Sequence, residues 1–320
     1  MNHRYMISLV ATLLALTGIT AAAQDFPARP IRLVVPWAAG TATDTIARIL
    51  GQRVSELTKQ AVVIDNKAGA GGTIGSHEVA RAAPDGYTLL ATSSAHIANL
   101  FLIKNIPYDG IRDFAPVIPT VRVPLVLVAH PGAGVQSVAE LTQLARRSPG
   151  KLSFAAGSSG ALVGMELYKQ LAGLDMLHVP YKSNTLALTD VMSGQVNIMI
   201  TDLGLAYPQI KAGKVIGLAV TGSERASSLP ELPTMVEAGV AGYELLGWGG
   251  IWAPAGTPPA IVTRLNGLFA EALATARMRE FAAKASADVF ILSPADFDRF
   301  QRADVDRWRR VTQAAKIQPE

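Results

Sequence analysis

The sequence predicts an α/β protein of two domains, each built on its own sheet, with the chain crossing between them twice. Three observations predict it. Short β-branched runs alternate with segments of helical periodicity along most of the chain. At 320 residues the chain is longer than one domain of ordinary size. A Pro-punctuated stretch near residues 115–125 interrupts the alternation, which then restarts.

Ahead of the first strand, residues 1–23 read as a signal peptide: Arg4 in a short n-region, an apolar run from Ile7 to Leu16, and Ala21-Ala22-Ala23 as an A-x-A site before Gln24. The apolar run is too short for a comfortable membrane span. No cysteine follows it to carry a lipid, so the expectation is cleavage after Ala23 and release into a bacterial periplasm.

Ile31-Arg32-Leu33-Val34-Val35 is the first strand, a helix with Ile46, Ile49, Leu50, Val54 and Leu57 on one face follows, and Ala61-Val62-Val63-Ile64 is the second strand. This is a βαβ unit. Residues 87–91 form the third strand. After the Pro-rich crossing come strands at 125–128, 152–155, 176–179, 196–200 and 215–220, with helices near 137–147, 161–172 and 185–193. Residues 229–233 and the strand-like 243–252 read as a return path, followed by helices at about 258–275, 277–285 and 294–314. If the return re-enters the first sheet, the division is 24–121 plus 245–320 for one domain and 122–244 for the other. Two crossings make a hinge that can open and close over a cleft.

Composition narrows the chemistry. The formal net charge of +4 is spread singly along the chain; the one cluster, Arg307, Arg309 and Arg310 around Trp308, falls in a helix as a solvated face. Nucleic acid is therefore not an expected partner. With no cysteine there is no disulfide, thiolate metal site, iron–sulfur cluster or cysteine nucleophile. His77, His96, His130 and His178 lie on separate elements without metal-ligand spacing, so no metal and no other cofactor is expected.

The polar candidates share one placement: each follows a strand, where open α/β sheets bind ligands. The loop Pro36-Trp37-Ala38-Ala39-Gly40-Thr41-Ala42-Thr43-Asp44 enters a helix, and its small residues let an anion approach helix N–H groups. Trp37, Ala39, Gly40, Thr41, Thr43 and Asp44 are the candidates there. Thr41 or Thr43 as a cap, and Asp44 as a dipole partner, account for them equally well. Gly69-Ala70-Gly71-Gly72 follows the second strand. It matches a dinucleotide fingerprint only loosely, which leaves a tight packing turn or a backbone nest around Gly71.

Two further strands end in hydroxyl residues, Ser93-Ser94 before His96 and Gly157-Ser158-Ser159-Gly160. The second is not a G-x-S-x-G elbow, and nucleophilic catalysis is disfavoured. His96 is the histidine placed best for the cleft. Lys182 and Asp202 also follow strands; Lys182 offers attraction for an anion, and Asp202 either caps a helix or receives a ligand donor.

In order along the chain stand Arg29-Pro30-Ile31-Arg32-Leu33-Val34-Val35-Pro36, Ala83-Pro84-Asp85-Gly86-Tyr87-Thr88, Asp113-Phe114-Ala115-Pro116, His178-Val179-Pro180-Tyr181-Lys182, Leu229-Pro230-Glu231-Leu232-Pro233-Thr234 and Ala253-Pro254-Ala255-Gly256-Thr257-Pro258. With these segments the chain resembles the Bug family, the periplasmic solute receptors of tripartite tricarboxylate transporters. The resemblance implies a two-domain Venus-flytrap receptor of the type II-like class, without catalysis. It would capture a small carboxylate, work as a monomer and pass its ligand to a membrane permease or a sensor. It also implies a carboxylate held by main-chain N–H groups, hydroxyls and waters from loops at 37–44, 69–73, 92–96 and 157–159, with Asp202 facing the ligand. Thr41, Ser183 and Leu162 depart from the family pattern. Two other readings stand beside it: an exported α/β enzyme acting on an acidic substrate through Lys182, Asp202 or His96, and a ligand-dependent sensor subunit.

Overall fold

The computed structural model describes residues 26–319, so the signal peptide expected at 1–23 lies outside the described residues. The chain opens on the expected βαβ unit. Strands β1 (Ile31–Val35) and β2 (Val62–Asn66) pair in parallel, Ile31 opposite Val62 and Val35 opposite Asn66. Helix α1 (Ala42–Thr58) joins them. It starts where Thr41, in extended backbone, accepts from the Asp44 N–H, and it ends at Lys59, whose φ of 60° carries the chain out of the helix. Ile46, Ile49, Leu50 and Val54 are its buried stripe. Leu33 and Val35 join one apolar cluster and Val34 another, so β1 is covered on both faces, as a parallel strand must be.

Helix α2 (Thr73–Ala80) leads to β3 (Thr88–Ser93), which pairs in parallel with the other edge of β1, and α3 (Ala95–Leu102) follows. The Pro-rich stretch read as a break is instead a single long strand, β4 (Phe114–Ala129). Register shifts between Pro116 and Ile118 and between Pro119 and Arg122 explain how it tolerates proline: at a bulge the missing N–H leaves no ladder bond unmade. Up to Pro124, β4 pairs antiparallel with β9 (Leu246–Pro254) and, at Val121 and Arg122, with the short β10 (Asp288–Val289). From Leu125 onward it pairs with β7 (Ile198–Asp202) on one side and β8 (Ile216–Val220) on the other. One strand is thus shared by two sheets.

The second half alternates α4 (Val138–Arg147), β5 (Ser153–Ala156), α5 (Ser159–Ala172), β6 (Leu177–Pro180), α6 (Asn184–Met192), β7, α7 (Leu203–Lys211) and β8. The strands run β2-β1-β3-β9-β4-β7-β5-β6, with β10 and β8 also on β4. The chain leaves the first half inside β4 and returns to it in β9, which pairs antiparallel with β3. Helices α8 (Pro259–Leu273), α9 (Ala276–Lys284) and α10 (Pro294–Ala314) complete the fold.

One apolar cluster runs unbroken across both halves, from Val34, Leu90 and Trp252 through Leu125 and Leu127 to Phe154 and Ile198, with Trp308 of α10 packed in it. Two further clusters are separate: Leu33, Val35, Leu89 and Ile251 in the first half, and Val126, Val128, Ala155 and Met199 in the second. The halves are therefore two cores joined along a common layer. Among the described residues no helix is long and apolar enough to cross a membrane.

Candidate functional site

The ends of β1, β3, β5 and β7 converge on a cavity of about 450 Å³. Trp37, Thr43, Ser93, Ser94, Ser158, Ser159 and Asp202 line it, drawn from loops far apart in sequence. Ala39, Gly40, Thr41, Asp44, Gly71, His96 and Lys182 do not. The difference between the two groups is mechanical, and each loop shows it.

In the first loop, Asp44 is only 2% exposed and acts as a knot. Its carboxylate accepts from the Gly40 N–H at 2.9 Å, from Asn66 Nδ2 at 2.9 Å and from Arg48 Nε at 3.0 Å. Burial opposes its ionisation, but these donors, Arg48 first, overcome it and hold the carboxyl below the usual range. Asn66 also donates to the Trp37 carbonyl at 3.0 Å, and Thr41 Oγ1 donates to the Ala38 carbonyl at 3.0 Å. Thr41 and Asp44 thus shape the loop, and Gly40 has given its N–H to Asp44. What faces the cavity is the first turn of α1 at Ala42 and Thr43, where N–H groups have no acceptor inside the helix. Trp37 lies beside them with its indole N–H on Thr92 Oγ1 at 3.1 Å.

The glycine run supports this loop from behind. Gly72, at φ 90°, lies so close to Trp37 that a Cβ there would stand 3.2 Å from the indole, and the Gly71 carbonyl accepts from Asn99 Nδ2 at 2.8 Å. Glycine is required here for close approach under the tryptophan.

At the end of β3, Ser93 and Ser94 present hydroxyls at the start of α3, while the Ser94 N–H is fixed on the Trp248 carbonyl at 2.7 Å. His96, expected in the cleft, lies behind it. It is 2% exposed, packed among Tyr108, Phe114 and Trp252, with Nε2 3.0 Å from the Gly110 carbonyl. Burial pulls its pKa down to about 4, against the opposing hydrogen bond to Gly110. A neutral, walled-in imidazole has no access to the cavity; α3 turns position 96 inward because its apolar neighbours Ile97 and Ala98 must be buried too.

In the second half, Ser158 caps α5, accepting from the Ala161 N–H at 3.2 Å. Asn184, the first residue of α6, connects everything around it. Its Nδ2 donates to Ser158 Oγ at 3.1 Å and to Asp202 Oδ2 at 3.2 Å, and its Oδ1 accepts from the Gly157 N–H at 3.2 Å. Sequence reasoning missed Asn184 because it looked for charges and hydroxyls after strands; the signal available was a second polar residue following the Ser183 cap. Lys182 is exposed just before that cap and lies outside the lining.

Also missed were Thr120, Trp248 and Gly249 on the adjoining strands β4 and β9. Gly247-Trp248-Gly249-Gly250 carried the signal, because glycines inside a strand mark close backbone approach. A Cβ on Gly249 would stand 3.0 Å from Thr120 Oγ1. Trp248 is held by Asp304 of α10, which accepts its indole N–H at 3.0 Å. Burial raises the Asp304 carboxyl pKa despite Arg307 beside it.

The lining includes no Lys, Arg or His, and Asp202 is its single charged side chain. Among the described residues no three His, Asp or Glu side chains gather as a metal site. The arrangement offers hydroxyls and the first turns of α1, α3 and α5, a donor-rich environment suited to an anion or a polar head group.

Residues 46–317 match the family described as "Tripartite tricarboxylate transporter family receptor". The chain is similar to a curated relative from a Pseudomonas species, "UPF0065 protein in tcbD-tcbE intergenic region", at 37% identity over 95% of this chain and 92% of that protein. Among solved structures it resembles R. palustris Rpa4515 with adipate, at 36% identity, covering 92% of this chain and 100% of that one with a TM-score of 0.75. It also resembles the periplasmic binding protein BugD, at 33% identity, 92% and 100% coverage and a TM-score of 0.71. Two halves sharing one strand, a cavity at the strand ends and a match across nearly the whole described chain lead to one conclusion: this protein belongs to the receptor family of tripartite tricarboxylate transporters, the two-domain periplasmic solute-binding proteins.

Proposed function

We propose that this chain captures a small carboxylate in the cavity and delivers it to a membrane permease of the tripartite type, without catalysing a reaction on it. The observation that carries the reading is the convergence of three helix starts, with Thr43, Ser93, Ser94, Ser158 and Ser159, on one cavity that has no cationic side chain in its lining. Such a site holds a carboxylate through fixed dipoles and hydroxyls instead of a guanidinium clamp. The ligand of the Rpa4515 structure, adipate, is of this class. Catalysis would need a base within reach of a nucleophile; Ser158 has Asn184 as its side-chain partner, and His96 is sealed behind the wall.

In this reading the mature chain starts at Gln24 and works in the periplasm as a monomer. Its domains are 24–121 plus 245–320 and 122–244, which close over the ligand. A thermal-shift and calorimetric screen of mono-, di- and tricarboxylates against their methyl esters, neutral sugars and amines tests it. Acids should bind and esters should not. Esters binding as well as acids, or a sugar or amine binding tightly with no acid response, would overturn it.

A further inference from the structure

Resting on the proposed closure of the two halves over a ligand, we propose that Arg122 and Arg307 are positioning residues for capture: each joins a carboxylate of the first half to a glutamate of the second, and together they brace the halves in the arrangement that encloses the cavity. The halves are connected by two neighbouring strand segments, with Val123 opposite Gly247 and Pro124 opposite Leu246. The apolar layer they share is non-directional, so directional contacts beside this ribbon must set the angle between them.

Arg307 of α10 donates from Nη1 to Asp304 at 2.8 Å and from Nη2 to Glu244 at 3.3 Å. Glu244 belongs to the second half because both its neighbours are fastened there: Tyr243 donates its hydroxyl to the Gly164 carbonyl, and the Leu245 N–H bonds the Thr221 carbonyl. Arg122 stands on β4 where that strand still pairs with β9 and β10. Its Nη2 donates to Glu224, beyond β8 in the second half, at 2.8 Å, and its Nε lies 3.7 Å from Asp288 of β10. Among the described residues Arg122–Glu224 and Arg307–Glu244 are the ion pairs that join the halves; the others stay within one half.

The two bridges are linked to each other and to the site. Arg122 sits over the Phe290 ring, Phe290 packs on Phe300 and Phe300 on Trp248, and Trp248 donates its indole N–H to Asp304, the carboxylate that Arg307 also holds. A guanidinium suits this task, since its fork of donors bonds two carboxylates at once in fixed geometry. Trp248 lines the cavity, and its carbonyl fixes the Ser94 N–H. The brace is therefore anchored on the wall that presents Ser93 and Ser94, while the glutamates at its ends set where Ser158 and Ser159 stand relative to that wall.

The chain has no cysteine, so Ala274→Cys and Gln170→Cys, at exposed positions of the first and second halves, can carry spin labels. Glu224→Gln with Glu244→Gln removes the bridging charges and leaves the Asp304–Arg307 pair untouched. Double electron–electron resonance on the ligand-free chain at low salt should show one main label separation in the wild type. In the double variant the population away from it should grow about fivefold, each pair contributing about twofold. Salt at about 1 M, where charges are screened beyond about 3 Å, should spread the wild-type distribution in the same way and the variant's little further. Calorimetry with adipate at low salt should show affinity falling in the variant by no more than about fivefold. An unchanged distribution in the folded double variant, a wild-type distribution indifferent to salt, or adipate binding tighter to the variant would overturn the brace. A spread distribution with no adipate response would leave the brace standing and count against carboxylate capture instead. The wild-type salt response decides the matter even if the variant does not fold.

Discussion

Replacing Gly157 with alanine should disable the second-half wall, although glycine there adopts no left-handed backbone. A Cβ added at Gly157 falls under 3.0 Å from three backbone atoms of the neighbouring loop, the carbonyl carbon and oxygen of Ser183 and the nitrogen of Asn184. Backbone cannot swing aside as a side chain can. Restoring van der Waals distance requires the loops after β5 and β6 to part by roughly 1 Å. Overpacking of this kind costs about 1–3 kcal/mol, and the Gly157 N–H bond to Asn184 Oδ1, worth about 1 kcal/mol, goes with it. The sum, about 3 kcal/mol, corresponds to a fall in Tm on the order of 6 °C for a chain of this size. Because Asn184 also positions Ser158 and Asp202, ligand affinity should drop with it. Gly160, three residues on, supplies the contrast: a Cβ there meets Leu125 Cδ1 at an ordinary 3.7 Å, inside the first turn of α5. Gly160→Ala should leave the ligand-free Tm unchanged or slightly raised. Differential scanning calorimetry of both variants, with and without a carboxylate that binds the wild-type chain, decides the point. A Gly157→Ala protein with wild-type Tm and wild-type ligand response would show that the two loops do not meet and would remove the basis for the Asn184 network.

Ser158→Ala should cost about 1 kcal/mol through loss of the α5 cap and weaken carboxylate binding about tenfold, read by urea unfolding and by calorimetry. His96 should shape the acid side of the stability profile. Its folded pKa is about 4 against an ordinary 6.5, so below pH 6.5 the unfolded chain takes up a proton that the folded chain refuses. Stability is thus full above pH 6.5 and declines by up to about 1.4 kcal/mol per pH unit toward pH 4. The difference in stability between wild type and His96→Phe should show that slope; parallel curves would contradict the buried neutral imidazole. Of the four tryptophans, Trp37 is the one that is not buried and it lines the cavity, while Trp248, Trp252 and Trp308 are buried. Ligand should change the emission of the wild-type chain, and Trp37→Phe should abolish most of that change.

Much of the fold was legible in residue order. β1, α1 and β2 follow from a β-branched run, a single buried stripe and a second run, and β1 and β2 pair with each other across one helix, within about 35 residues of chain. The positions of the loops that line the cavity follow as well, since a strand that ends in small and hydroxyl residues must turn there. β4 was not legible: three prolines argued for a break, and only pairing with β9, with its register shifts, shows where their missing N–H groups do no harm. The same holds within the site. Sequence placed Thr41, Asp44 and His96 beside Thr43, Ser93 and Ser158 as equals, because all follow strands. Tertiary structure separated them: Asp44 turns inward to bind Gly40, Asn66 and Arg48, and His96 is packed into aromatic core, while the hydroxyls remain at the cavity. Asn184 and Asp202 stand 18 residues apart, and nothing local couples them. Periodicity reports which face of an element is buried, but which polar group meets which depends on how loops from distant strands approach one another, and that distance is set by the packing of the whole sheet.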